Sequence, residues 1–182
     1  MISLMHDTLY GLFVDPNKLL KAAGLTQGQN VLEVGCGPGF FTVAAAELVG
    51  KSGRLYTLDI NPAAVERVGQ KVSGAGLTNV KVRVANASST GLPDASVDVV
   101  FFFGIVHSLK DLDPILKEMH RILKNNGVLS AQRSSWSERD LLNRFTKHRL
   151  FHFIGKERRI YRFENISGQV NDGAHKEQRI EF

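Results

Sequence analysis

The chain has a single cysteine, Cys36, in 182 residues. No disulfide can close within it, which excludes a disulfide-stapled secreted scaffold. It also lacks a long apolar run. The longest, Val97 to Val106, is interrupted by Asp98 and Gly104 and falls well short of the ~20 residues that cross a bilayer. The first residues include Asp7 and Asp15 and lack the basic-then-apolar pattern of a signal peptide. These absences predict a protein of the reducing cytoplasm with no membrane insertion. His148 and His152 have no carboxylate or cysteine cluster near them, so no metal site is expected. No repeat and no internal domain boundary is visible.

What the chain does have is a strand and a glycine turn around which the rest is organised. Val31, Leu32 and Val34 form a short apolar run, as a parallel strand covered on both faces requires. Gly35, Gly37 and Gly39 follow at spacing two, and Phe40, Phe41, Ala44, Ala45, Leu48 and Val49 then recur at helical spacing. Pro38 has φ preset for a first helical turn. Glycine lets a ligand lie directly against the main chain, and a strand, turn and helix in this order offer backbone donors to a polar ligand. A dinucleotide-binding turn places its third glycine three residues after the second, and here that position is Phe40. Instead the third glycine is Gly39, and Glu33 precedes Gly35 by two.

Along the chain, strands alternate with helices. Asp15 and Pro16 open a helix over Leu19, Leu20 and Ala23, part of an amphipathic cover over residues 1–25. Arg54 to Asp59 reads as a second strand. Asn61 caps a helix with Pro62 at its first position, and Val80 to Ala85 is a third strand. Val97 to Phe103 is a fourth, followed by a helix capped by Asp113 and stopped by Asn125-Asn126-Gly127. Val128 to Gln132 is a fifth strand, and Ser137 or Glu138 to Thr146 a helix. Leu150 to Ile154 and Arg159 to Phe163 form an antiparallel hairpin about Gly155-Lys156-Glu157. The pattern predicts one α/β domain over residues 1–165: a doubly wound, mostly parallel sheet with helices on both faces and an antiparallel C-terminal hairpin strand. Residues 166–182 read as a polar tail.

In an open α/β sheet the ligand sits beyond the carboxyl ends of the strands. Asp59 ends the second strand, where a carboxylate can accept both hydrogen bonds of a ribose diol. Asn86 and Ala87 end the third, and Gly104 and His107 follow the fourth. These positions converge on one crevice. Cys36 lies inside the glycine turn and is not read as a nucleophile. Trp136, after the fifth strand, reads equally as a mouth residue or as surface packing.

The pattern Glu33-x-Gly35-x-Gly37-x-Gly39, with Leu58-Asp59-Ile60, Asn86-Ala87, Leu92-Pro93-Asp94-Ala95-Ser96-Val97-Asp98 and Ile122-Leu123-Lys124-Asn125-Asn126-Gly127, resembles the successive motifs of class I methyltransferases that use S-adenosylmethionine. The small ubiquinone/menaquinone-methylase-like subgroup is the nearest match, from about Leu19 to Phe163. The resemblance implies a seven-stranded, Rossmann-like methyltransferase fold with the last strand antiparallel. It implies that Gly35, Cys36 and Gly37 pass under the methionine moiety and that Asp59 binds the ribose with Ile60 against the adenine. Asn86 and Ala87 would read the adenine edge, Phe103 and Gly104 would border the sulfonium, and Glu33 would hold the turn or meet the donor's ammonium. At position 86 the family more often has aspartate. His107 is either a base facing the acceptor or a loop histidine bonded to backbone.

The acceptor is expected to be a small molecule, and a homodimer is left open. No Asn/Asp-Pro-Pro-Tyr follows the fourth strand, which argues against methylation of an amino group on adenine or glutamine. Residues 139–162 hold eight basic and two acidic side chains of a chain whose net charge is +5. That block reads as a solvated face or as a phosphate-meeting patch. Three alternatives stay open: an enzyme using a nicotinamide cofactor, a non-catalytic member binding the donor or a partner protein, and an RNA methyltransferase.

Overall fold

The computed structural model describes residues 15–109 and 111–166. The helical cover expected ahead of Asp15 and the polar tail past Ile166 lie outside them. One seven-stranded sheet runs through the described residues in the order β3-β2-β1-β4-β5-β7-β6. The strands are β1 (Asn30–Val34), β2 (Arg54–Asp59), β3 (Val80–Val84), β4 (Val97–Phe102), β5 (Leu123–Gln132), β6 (Phe151–Glu157) and β7 (Ile160–Asn165). β1 to β5 pair in parallel, and β7 runs antiparallel to both β5 and β6. The antiparallel strand is thus inside the sheet rather than at its edge.

Helix α1 (Pro16–Ala22) begins where expected, with the Asp15 carboxylate accepting from Asn17 N–H at 3.0 Å. In α3 (Pro62–Gly74) the Asn61 side chain accepts from Ala63 N–H at 3.0 Å. In α5 (Glu138–Thr146) the Ser137 hydroxyl accepts from Asp140 N–H at 3.1 Å. Each cap satisfies a donor that a helix start leaves unpaired.

Strand alternation gives two large core clusters, with a small third one of Cys36, Val68 and Val72. Val31, Leu55, Val99 and Phe101 pack with Leu19, Leu20, Ala45 and Val49, under α1 and α2 (Thr42–Val49). Leu32, Leu58, Val100, Phe102 and Leu129 pack with Ile115, Leu116, Met119, Leu141 and Phe145, under α4 (Asp113–Ile122) and α5. Helices therefore cover both faces, as predicted.

Four local expectations are corrected. The helix after the glycine turn begins at Thr42, so Pro38 belongs to the turn. Asp113 is the first residue of α4 and not its cap; its N–H donates to the Asp111 carboxylate at 3.2 Å. Asn125-Asn126-Gly127 lies within β5 and does not stop α4. The Asn165 amide, far along the chain, donates to the carbonyls of His120, Leu123 and Lys124, which frees β5 to start at once. Gly127 then comes so near the Lys124 carbonyl that a Cβ would sit 2.9 Å from it. Finally, Gly155 pairs with Arg162 inside β6, beside a bulge at Ile154, and is not the hairpin turn, which is Arg158-Arg159. Lys156 holds the extension in place, bonded to the Glu138 carboxylate at 2.8 Å and lying 5.8 Å from the Tyr161 ring centre.

Candidate donor-binding site

The C-terminal ends of β1, β2, β3 and β4 meet at a groove of two chambers. One, about 350 Å³, is lined by Glu33, Gly35, Cys36, Gly37, Phe103 and Gly104, among others. The other, about 730 Å³, is lined by Gly35, Asp59, Ile60, Asn86 and Ala87, among others. Val34, Gly35 and Ile105 belong to both walls. Every residue read from the sequence as donor-binding lines one chamber or the other. Each volume is of the size that small-molecule sites have.

The glycine turn is shaped for close approach. Gly35 has φ +74°, and a Cβ there would lie 2.8 Å from the Ile105 side chain. Gly37, at φ +50°, has open space where a Cβ would stand, so a ligand can rest on its backbone. The turn is tied to β2: Gly35 N–H and Cys36 N–H donate to the Leu58 carbonyl at 2.8 and 3.1 Å. Asp59 then takes one backbone donor on each oxygen, Gly37 N–H at 2.9 Å and Asn61 N–H at 2.9 Å. Each carboxylate oxygen keeps acceptor capacity for a ligand hydroxyl. Beside it Ile60 is 72% exposed, an apolar face presented to the second chamber.

Glu33 is 3% exposed and sits in β1 beneath the turn. One of its oxygens accepts from the hydroxyls of Thr42 at 2.7 Å and Thr57 at 2.8 Å. Burial pushes its carboxyl up to about 7, against the opposing pull of the two threonine hydrogen bonds. The Cys36 thiol is likewise pushed up to about 11 by burial. It stays a neutral thiol at ordinary pH, in keeping with its reading as part of the turn.

Asn86 follows β3, and its side-chain oxygen accepts from Ser88 N–H and from the Ser88 hydroxyl, each at 3.0 Å. His107 lies in a 3₁₀ turn (Val106–Ser108), exposed, with Nδ1 3.2 Å from the Ser134 hydroxyl. It lines neither chamber. Trp136 also lies off both walls, under the Arg144 guanidinium at 4.6 Å. Several wall residues escaped the sequence reading, Gln132, Ile105 and Asp111 among them. Gln132 closes β5 with a polar side chain at a strand end, a signal of the same kind as Asp59, and Ile105 wedges between the chambers.

A profile of the family described as methyltransferase domain matches residues 25–179. The chain belongs to the methyltransferase-domain family. Demethylmenaquinone methyltransferase of Geobacillus stearothermophilus is 36% identical to it over 110 residues, covering 60% of this chain and 47% of that protein. The ubiquinone/menaquinone biosynthesis C-methyltransferase of Pseudoalteromonas translucida is 29% identical over 126 residues, covering 69% and 50%. This methyltransferase-family chain therefore spans about half the length of the curated relatives it matches. Among solved structures, a SAM-dependent methyltransferase from Aquifex aeolicus superposes with a TM-score of 0.71 at 26% identity, over 83% of this chain and 88% of that one. The family sets aside the nicotinamide reading, as Phe40 in place of a third spaced glycine already suggested.

Proposed function

We propose that this chain binds S-adenosylmethionine across the two chambers and transfers its methyl group to a small molecule. The observation that carries the reading is the convergence of Asp59, the glycine turn and Asn86-Ala87 from three strand ends on one groove. The open space above Gly37 and above Gly104 fits a ligand laid on the main chain. When bound, the donor supplies a methyl group already activated on a sulfonium.

The chain's own residues have positioning to do. Asp59 accepts from the ribose hydroxyls while its hydrogen bond to Gly37 keeps the turn in register. Ile60 packs on the adenine, and Asn86 and Ala87 border its edge. Glu33, ionised, faces the donor's ammonium. Phe103 and Gly104 border the reacting centre and exclude water, so that catalysis rests on alignment. His107 lines neither chamber, so it is given no part in holding the donor.

The names of the curated relatives support a quinone-class acceptor. A nucleic acid acceptor is less well supported, because three of the eight basic residues of the block are engaged within the protein. Lys147 pairs with Asp113 at 2.8 Å, Lys156 with Glu138 at 2.8 Å, and Arg159 donates to the carbonyls of Arg133 and Ser134 at 3.0 Å.

Calorimetric titration with S-adenosylmethionine and S-adenosylhomocysteine tests the reading. Asp59→Ala is expected to weaken both by about 1–3 kcal/mol, roughly 5- to 150-fold. No saturation of the parent at millimolar ligand would refute donor binding. Transfer of labelled methyl to demethylmenaquinone separates a catalyst from a non-catalytic binder.

A further inference from the structure

The crossover from β3 to β4 contains no helix, although parallel strands are usually joined through one. Its first residues, Asn86, Ala87 and Ser88, form a wall of the second chamber, so whatever holds the crossover also holds that wall. Arg83 of β3 donates to the Thr90 carbonyl at 3.1 Å, and the other holding groups come from α4. One oxygen of Glu118 accepts from Thr90 N–H at 2.8 Å and from the Thr90 hydroxyl at 2.7 Å. Arg121 donates to both Glu118 oxygens at 2.8 Å, donates to the Leu92 carbonyl at 2.9 Å and pairs with Asp94. Thr90 is buried, and its hydroxyl oxygen accepts from Leu92 N–H at 3.2 Å. Arg121 also keeps Glu118 ionised, its carboxyl held down to about 2 chiefly by the guanidinium hydrogen bonds, and hydrogen bonds to an ionised acceptor are the strong ones.

Thr90 is joined to the chamber wall by a short segment with its own hydrogen bonds. Asn86 is bonded through its side chain to Ser88, and its carbonyl accepts from Ser89 N–H at 2.9 Å. These local bonds tie Asn86 to Ser88 and Ser89, the residues that run directly into Thr90. Glu118, Arg121 and Thr90 line neither chamber themselves.

We infer that Glu118 is a positioning residue for the adenosyl half of the donor, acting through Thr90 on the Asn86–Ser88 wall without touching the ligand. The inference rests on the proposed donor-binding function. It is tested by titrating S-adenosylhomocysteine at 25 °C into the parent, Glu118→Gln, Thr90→Val and Thr90→Ser, with a melting curve for each. Glu118→Gln and Thr90→Val are expected to weaken binding about ten-fold at a temperature where they remain folded. Thr90→Ser keeps the hydroxyl and should bind as the parent does. Backbone amides of residues 86–90 should exchange faster in Glu118→Gln. A purely structural role would lower the melting temperature and leave the dissociation constant unchanged, which would overturn the inference. Where Glu118→Gln does not fold, equal affinity of Thr90→Val and Thr90→Ser overturns it instead. A parent that binds no ligand removes the functional reading, and this inference with it.

Discussion

The side-chain oxygen of Asn86 is occupied before any ligand arrives. It accepts two hydrogen bonds from Ser88, which uses both of its lone pairs. What remains is the amide NH2, a donor, whereas the amino group of adenine is a donor too. An aspartate at this position would keep one oxygen for Ser88 and offer the second to the adenine. Asn86→Asp is therefore expected to tighten S-adenosylhomocysteine binding by about 1 kcal/mol or less, up to roughly five-fold. The melting temperature should be measured alongside, to confirm that the Ser88 turn persists. An unchanged dissociation constant would show that residue 86 does not face the adenine. Asp59 makes the contrasting point. Its two oxygens each hold one backbone donor and still retain acceptor capacity, so the same carboxylate can pin the turn and receive a ribose.

Among the elements, the hairpin carries a local conflict. Glu157 pairs with Ile160, leaving Arg158 and Arg159 as a two-residue loop, and Arg158 has φ +56°. That conformation is one glycine adopts freely and an arginine does not. Arg158→Gly is expected to raise stability by about 0.5–1 kcal/mol, or some 1–4 °C in melting temperature. Arg158→Lys, which leaves the strain in place, should melt with the parent. A lower melting temperature for Arg158→Gly would mean that the guanidinium stabilises the loop more than its backbone strains it. The elements legible in the sequence were those settled by neighbours within a few residues. The caps Asp15 and Asn61 act two positions along the chain, and the apolar strand runs carry their own signal. Gly155 and Asn125-Asn126-Gly127 misled because distant partners decided them: Lys156 is held by Glu138 beyond the bulge, and Asn165 satisfies the carbonyls at the end of α4. The site followed the same division. Strand ends could be located, so the groove-lining residues were legible. The aim of His107 depends on a 3₁₀ turn and on Ser134, neither of which a local pattern reveals.

At the scale of the whole molecule, the buried carboxylate of Glu33 sets a dependence of stability on pH. Its folded-state pKa is raised from 4.5 to about 7, first by burial. Between those values the folded protein holds a proton that the unfolded chain has released, so stability falls as pH rises across that window. Below about pH 4 both states are protonated and the residue adds no slope. Above about pH 8 both are ionised and the full penalty stands, on the order of 3 kcal/mol for a shift of this size. Glu33→Gln removes the titration while keeping an oxygen for the hydroxyls of Thr42 and Thr57. Without ligand, the variant is expected to match the parent near pH 5 and to melt roughly 5–10 °C higher near pH 8. Other titrating groups are common to both proteins and cancel in the comparison. Parallel melting profiles across this range would show that Glu33 is not held near neutrality in the folded chain. The same substitution should weaken donor binding, because an uncharged amide has less to offer an ammonium than a carboxylate has. On the proposed function, the group that destabilises the empty groove at neutral pH would be the one that holds the donor, and donor binding would recover part of the stability that its ionisation costs.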